Sequence, residues 1–258
     1  MKVRIKFAKA GIARFIGHLD VMRYFQKAVR RAGIAIRYSG GFSPHQLMSF
    51  AAPLGVGITS NGEYLDIEVE DDEDTATMKA RLNQVMAEGF SVKSCLVLPK
   101  EAGNAMSLVA AARYTVAFRP GCMPQNPEEW FAGLISFYDR DRVNIIKKTK
   151  KGEKELDLKP LIYELKSYVP KSYEPESAPC AGQPALSMLI STGSTENIKP
   201  ELVLDAYYQY LNQERPAFAF FVQREEVYAK KEPKKEGNFH ADDFLPLEAF
   251  GRNGGCLE

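Results

Sequence analysis

Hydrophobic positions along this chain follow two alternating periods, and the switches between them mark its elements. Residues 1–8 alternate, with Val3, Ile5 and Phe7 on one side and Lys2, Arg4 and Lys6 on the other. A period of two predicts a half-buried strand. From about His18 to Ala32 the period becomes helical. Val21, Met22, Phe25, Ala28, Val29 and Ala32 gather on one side, Arg23, Lys27, Arg30 and Arg31 on the other, and Gly33 supplies the stop. Ile34–Tyr38 reads as a short strand and Leu47–Ala52 as an extended stretch. Asn61-Gly62 has the composition of a hairpin turn. Tyr64–Glu70 alternates again, with Leu65, Ile67 and Val69 inward. A helix over Thr75–Glu88, with its stripe at Met78, Leu82, Val85 and Met86, and a strand over Phe90–Leu98 complete a β-α-β-β-α-β order.

A similar order returns after residue 112. Tyr114–Phe118 reads as a strand. Asn126-Pro127-Glu128-Glu129 opens a helix, with an Asn cap, Pro at the first position and acids in the first turn. Trp130, Phe131, Leu134, Ile135 and Tyr138 form its apolar stripe. Arg142–Lys148 is a strand, Lys151-Gly152 a turn, and Lys154–Leu165 reads equally well as strand or short helix. Leu186–Ser191 and Phe218–Ala229 are strands around a helix over Pro200–Leu211. The expected fold is therefore α+β: a tandem of two ferredoxin-like (βαββαβ) units with antiparallel sheets. The units occupy residues 1–99 and 113–229, joined by a linker at 100–112. A Pro-rich insertion lies at 169–184, and 230–258 reads as a charged flexible tail. No residue-level repeat relates the halves.

Charge changes this picture locally. The net charge is only +1, with 45% hydrophobic and 26% charged residues, which excludes a polyanion binder of the uniformly basic kind. Residues 1–50, however, carry ten Lys/Arg against one acid, Asp20, and residues 61–74 carry eight acids and no base. In the expected fold the first and third strands are neighbours, so Arg4 and Lys6 face Asp66, Glu68 and Glu70. That pairing neutralises the sheet face and leaves the helix as the basic surface. Cys95, Cys122, Cys180 and Cys256 are scattered with no CxxC spacing, which predicts reduced thiols and no zinc or iron–sulfur site. No signal peptide or membrane-length apolar run is present, so the expectation is a cytoplasmic protein without metal or cofactor.

Candidate chemistry concentrates between residues 14 and 55. His18 and Asp20 stand at a helix start and His45 in a Gly/Ser/Pro loop. They are candidates for an acid–base pair or a partial metal site if the loop folds back, against a plain reading as helix cap and loop-bonded histidines. Arg14, Arg23, Lys27, Arg30, Arg31 and Arg37, with Tyr38, Phe42 and Ser43, are candidates for RNA binding: cations for phosphates and rings for unpaired bases. Their plain reading is a solvated helix face. Phe42, Leu47, Met48 and Phe50 are candidates for docking a protein partner. Lys147, Lys148, Lys150, Lys151 and Lys154 form a further basic cluster around a turn.

The stretches Arg14-Phe15-Ile16-Gly17-His18-Leu19-Asp20-Val21-Met22-Arg23 and Tyr38-Ser39-Gly40-Gly41-Phe42-Ser43-Pro44-His45 resemble the radical SAM-linked proteins, a bacterial family of unknown function. So do Ser49-Phe50-Ala51, Pro53-Leu54-Gly55 and Gly62-Glu63-Tyr64. Lys150–Leu161 resembles the family's second half. This chain departs from the pattern at Gly17 and at Gln46-Leu47, where the family has Ser and Pro-Lys. The resemblance implies a partner, a radical S-adenosylmethionine protein fused to or encoded beside members, and a setting in RNA or ribosome metabolism. It assigns no catalytic residue. The leading expectation is an accessory RNA-associated module with no activity of its own. The alternatives are a metal-independent endoribonuclease using His45 or His18, similar at fold level to CRISPR repeat-processing endoribonucleases, and a domain that only docks the radical enzyme.

Overall fold

The computed structural model describes residues 1–70, 73–149, 152–170, 182–193, 196–232 and 237–254. Among the described residues the chain is mixed α+β, with five helices and mostly antiparallel strands, and it divides into two compact units. The first unit comprises Met1–Ala110, Arg224–Lys230 and Leu245–Glu258; the second comprises Ala111–Gln223 and Lys231–Phe244.

The first unit contains β1 (Lys2–Lys9), α1 (His18–Arg31), β2 (Met48–Phe50), β3 (Thr59–Glu68), α2 (Thr75–Val85), β4 (Phe90–Val97) and α3 (Ala105–Leu108). Its strand order is β4-β1-β3-β2, with β1 antiparallel to both β3 and β4 and β2 antiparallel to β3. The expected helix over 18–32 forms because Val21, Phe25, Ala28 and Val29 recur at helical spacing and are all buried. Gly33 ends it at φ +65°, a conformation that favours glycine. Asp74 Oδ2 accepts the Thr77 N–H at 2.8 Å and caps α2. The two helices bury Phe25, Met78 and Leu82 against Val3, Ile5, Leu65 and Ile67 of the strands.

Two local expectations are corrected. Ile34–Tyr38 is no strand: Ile36 and Tyr38 make only isolated bridges, to Val69 and Gln46. The strand beside β3 is Met48–Phe50, which pairs Phe50 with Leu65 and Met48 with Ile67. Asn61-Gly62 is no turn, since both residues lie inside β3. A Cβ at Gly62 would stand 2.5 Å from the Glu225 carbonyl oxygen, so this glycine admits a neighbouring backbone.

In the second unit the elements are β5 (Val109–Phe118, its first two residues in the first unit), α4 (Pro127–Phe137), β6 (Asn144–Thr149), β7 (Gly152–Asp157), β8 (Ile162–Tyr168), β9 (Ala185–Ser191) and α5 (Pro200–Tyr210). It also holds the start of β10 (Phe220–Lys230), a strand divided between the units after Gln223. The order within this unit is β10-β5-β9-β8, and β6 and β7 form a separate hairpin. The stretch 154–165, left open by its sequence, contains the end of β7, a 3-10 turn at Lys159–Leu161 and the start of β8. Phe118, Trp130, Phe131, Tyr207 and Phe220 form an aromatic core, with Trp130 5.1 Å from Phe118 and 5.0 Å from Tyr207.

The described residues of 237–254 are not a free tail. Residues 241–250 contain two 3-10 turns flanking β11 (Phe244–Pro246), and Phe244 and Leu247 are buried. The charged composition hides these few apolar anchors. Most of the expected Pro-rich insertion, 171–181, lies outside the described residues, as do Lys150 and Lys151 of the lysine cluster. Lys147 and Lys148 sit on β6 and Lys154 on β7. Among the described residues no helix is long and apolar enough to cross a membrane.

Candidate functional site

Gln46, next after the 38–45 loop, ties that loop to α1 in the first unit. Gln46, itself buried, donates from Nε2 to the Gln26 carbonyl of α1 at 3.3 Å. The loop closes on itself: the Ser39 N–H donates to the His45 carbonyl at 2.8 Å, and the His45 N–H donates to Ser39 Oγ at 3.1 Å. Ser39 Oγ also lies 2.8 Å from His45 Nδ1. Gly41, at φ +97°, turns the chain at the loop tip. Beyond that frame Phe42 is fully open to solvent, Ser43 is exposed and Tyr38 is half exposed.

Not all of the expected basic residues are equally available. Arg23 pairs with Asp20 at 3.1 Å and Arg37 with Glu68 at 3.3 Å, both on the surface, where such pairs contribute little. Arg31 donates to the Val85 carbonyl and lies over the Tyr24 ring. The Arg14 guanidinium lies over Phe15, and its Nε is buried without a partner. Lys27 and Arg30 are exposed and carry no ion pair. They are the free cations of this face among the described residues.

The three candidate catalytic residues are not one another's partners. Asp20 is held by Arg23, His45 by Ser39, and the His18 ring meets Phe50 edge-on at 5.5 Å. His45 borders a cavity of about 200 Å³ with Lys2, Ser49, Asp66, Glu68 and Asn104. No group of three His, Cys, Asp or Glu suited to a metal ion occurs among the described residues. The expected docking patch is also dispersed. Phe42 is exposed, Leu47 and Met48 are half-buried, and Phe50 belongs to the core, 5.7 Å from Phe25. Phe50 pairs with Leu65 of β3 and packs into the core, so it is no surface anchor.

What the sequence did not disclose is the company His18 keeps. Arg224 clamps Glu63 through two hydrogen bonds, Nε to Oε1 at 2.7 Å and Nη2 to Oε2. It also donates to the Ala52 and Pro53 carbonyls. Lys9 Nζ donates to the Ile16 carbonyl at 2.7 Å, two residues before His18. Lys9, Glu63 and Arg224 are 2%, 5% and 2% exposed, whereas His18 is half-buried. Burial pushes the His18 imidazole below its ordinary value; Lys9 and Arg224 add to that and Glu63 opposes it. Burial likewise lowers Lys9, with Glu63 opposing and Arg224 assisting. Gly62-Glu63-Tyr64 and Pro53-Leu54-Gly55 were visible as motifs, but Arg224 lies 161 residues from Glu63 in sequence. No local pattern announces that pairing.

A second charged set lies along β1 and β3. Arg4 Nε and Nη2 donate to the two Asp66 carboxylate oxygens at 2.8 and 2.9 Å, as the strand pairing predicts. Lys6 instead bonds Glu226 and Glu248. Burial disfavours its charge, but those two carboxylates outweigh it, and the Lys6 pKa is raised. Cys95 is buried, and its thiol is pushed up to about 12 by burial, so it is no reactive nucleophile.

No curated protein matches the sequence. A family model does: that of uncharacterized proteins conserved in bacteria, DUF2344, matches residues 2–200. The match takes in α1, the 38–45 loop, Lys9, His18 and Glu63, together with most of the second unit. With well over half of its length covered, the chain belongs to the DUF2344 family of uncharacterized bacterial proteins.

Proposed function

We propose that this protein is an accessory, RNA-associated module that works in the cytoplasm beside a radical S-adenosylmethionine enzyme. The observation that carries the reading is the placing of two unpaired cations, Lys27 and Arg30, beside a loop that exposes Tyr38 and Phe42. The Gln46–Gln26 hydrogen bond joins the two pieces. Cations next to exposed rings suit single-stranded RNA, whose phosphates take the charge and whose unstacked bases take the rings. Phe42, wholly exposed on a closed loop, also supplies the apolar anchor for the partner enzyme. Each unit is read as ferredoxin-like. The orders β4-β1-β3-β2 and β10-β5-β9-β8 place the four strands of each βαββαβ set in the same relative sequence, with the β6–β7 hairpin as an insertion in the second.

The test is RNA binding by the full chain against salt. Lys27→Glu with Arg30→Glu is expected to weaken binding about 10-fold or more and to flatten the salt dependence by roughly two phosphate contacts. The absence of RNA binding at low salt would sink the reading. Cleavage of the RNA that disappears in His45→Ala would turn it into the endoribonuclease alternative. Copurification with the radical enzyme without RNA, lost in Phe42→Asp, would leave the docking role alone.

A further inference from the structure

We propose that an apolar patch of Ile12, Phe15, Leu19 and Val56 docks an acidic, apolar-faced segment of a protein partner, a role beyond RNA binding and separate from the Phe42 loop. The four side chains are between 60% and 73% exposed. Single exposed apolar residues are ordinary, but a group of them marks an interaction surface. The chain itself groups these. Ile12 and Phe15 belong to the 3-10 turn Gly11–Phe15, where side chains three apart eclipse, so both project on one edge. Ala13, between them, is buried in the core. The Gly57 N–H donates to the Arg14 carbonyl at 2.8 Å and so brings Val56 to the turn. Leu19 follows at the opening of α1, four residues after Phe15. The turn is also pinned on both sides. Before it the Ala10 N–H donates to the Gly89 carbonyl at 2.8 Å, and after it Lys9 Nζ donates to the Ile16 carbonyl at 2.7 Å. Anchors held out in solvent on a fixed turn lose little freedom on binding.

Charge names the occupant. The Arg14 guanidinium stands within the patch, 4.8 Å from the centre of the Phe15 ring, and among the described residues it has no ion pair or hydrogen bond. Arg23, four residues after Leu19 on the same face of α1, adds a second cation, and its pair with Asp20 is open to water. Arginine beside apolar anchors is the composition of a binding hot spot, and its planar fork matches a carboxylate. A second copy of this chain fits badly, because a two-fold contact sets the same arginines in one interface. RNA fits badly as well: three of the four side chains are aliphatic, and Arg14 already covers the Phe15 ring. A lipid surface is recruited by clusters of about four to eight Lys/Arg with Trp or Tyr at the interface, and this patch has two arginines and neither ring. A protein segment that sets carboxylates beside an apolar face answers both features.

The experiment titrates the full chain into two labelled amphipathic helical peptides and reads fluorescence anisotropy. Both carry the same leucine face; one has glutamates on its flanks and the other lysines. The glutamate peptide is expected to bind in the micromolar range and the lysine peptide about 10-fold more weakly or worse. Ile12→Ser with Phe15→Ser should weaken the glutamate peptide about 10-fold or more. Arg14→Glu should reverse the preference between the peptides. Met106→Ser, which removes an exposed apolar side chain elsewhere in the unit, should change nothing. Urea unfolding checks that each variant is folded; should Arg14→Glu fail, the double serine variant at exposed positions decides alone. Equal affinity for the two peptides, or equal affinity of parent and double serine variant, overturns the proposal. So does a dimer in sedimentation equilibrium, or binding to phosphatidylglycerol vesicles, that the double serine variant abolishes, since the patch then serves a second copy or a membrane. The peptides carry no nucleotide, so this result stands or falls separately from RNA binding.

Discussion

Two arginine–carboxylate clamps are buried in the first unit, and the difference between them separates structure from chemistry. The Arg4–Asp66 clamp is closed. Arg4 also donates to the Leu247 and Gly103 carbonyls, Asp66 also accepts the Ala105 N–H, and both side chains are almost fully buried. Its charges sum to zero and no donor faces solvent. The Arg224–Glu63 clamp is equally buried, but it stands next to Lys9 and a half-exposed His18. One set is a sealed seam between strands. The other adds a third buried charge, Lys9, whose ammonium donates to the Ile16 carbonyl. Buried ion pairs as such therefore say little about function; the imbalance beside one of them does.

The largest effect that would test this contrast is Asp66→Ala. It leaves Arg4 charged and buried, so the expected loss is about 3–5 kcal/mol of stability, read by urea unfolding. A loss below 1 kcal/mol would mean that the seam is open to water. Next is Gly62→Ala. The added Cβ would meet the Glu225 carbonyl oxygen at 2.5 Å and Glu226 Cα at 2.7 Å, both backbone atoms. Overpacking of that kind costs about 1–3 kcal/mol. It should also disturb the seating of Arg224 on Glu63, one residue along each strand. Smaller again is Lys9→Met. Removing the surplus charge stabilises, and leaving the Ile16 carbonyl unpaired opposes it, so the net change in unfolding free energy is expected within about 1 kcal/mol.

The same contrast marks how far the sequence could be read. The helix over 18–32 was legible because six apolar residues keep one period against a basic face, and so was the meeting of Arg4 with the acids of β3, which alternation places on one sheet face; that its partner is Asp66 follows from the register, which only the fold supplies. Asn61-Gly62 misled because a local turn preference competes with a strand 160 residues away that needs a residue without a side chain. Phe50 misled because three residues are too few to show a period of two. Of the second cluster, Lys9 and His18 were in view as ordinary residues, but Arg224 belongs to a strand whose nearness to Glu63 only the fold creates. Residues 241–250 looked like tail because a few buried apolar residues, Phe244 and Leu247, are diluted among charges.

The finest test concerns the pH response of His18. Burial disfavours the imidazolium, and so do Lys9 and Arg224, while Glu63 favours it; the balance lies below the ordinary value of 6.5. A depressed folded-state value means that the unfolded chain binds the proton more readily. His18 therefore contributes stability that is fully present above pH 6.5 and is lost as pH falls through the folded value. Unfolding of the parent should steepen with acid below about pH 6.5, and His18→Gln should remove that part of the slope. The effect is modest, because half-exposure lets water share the charge.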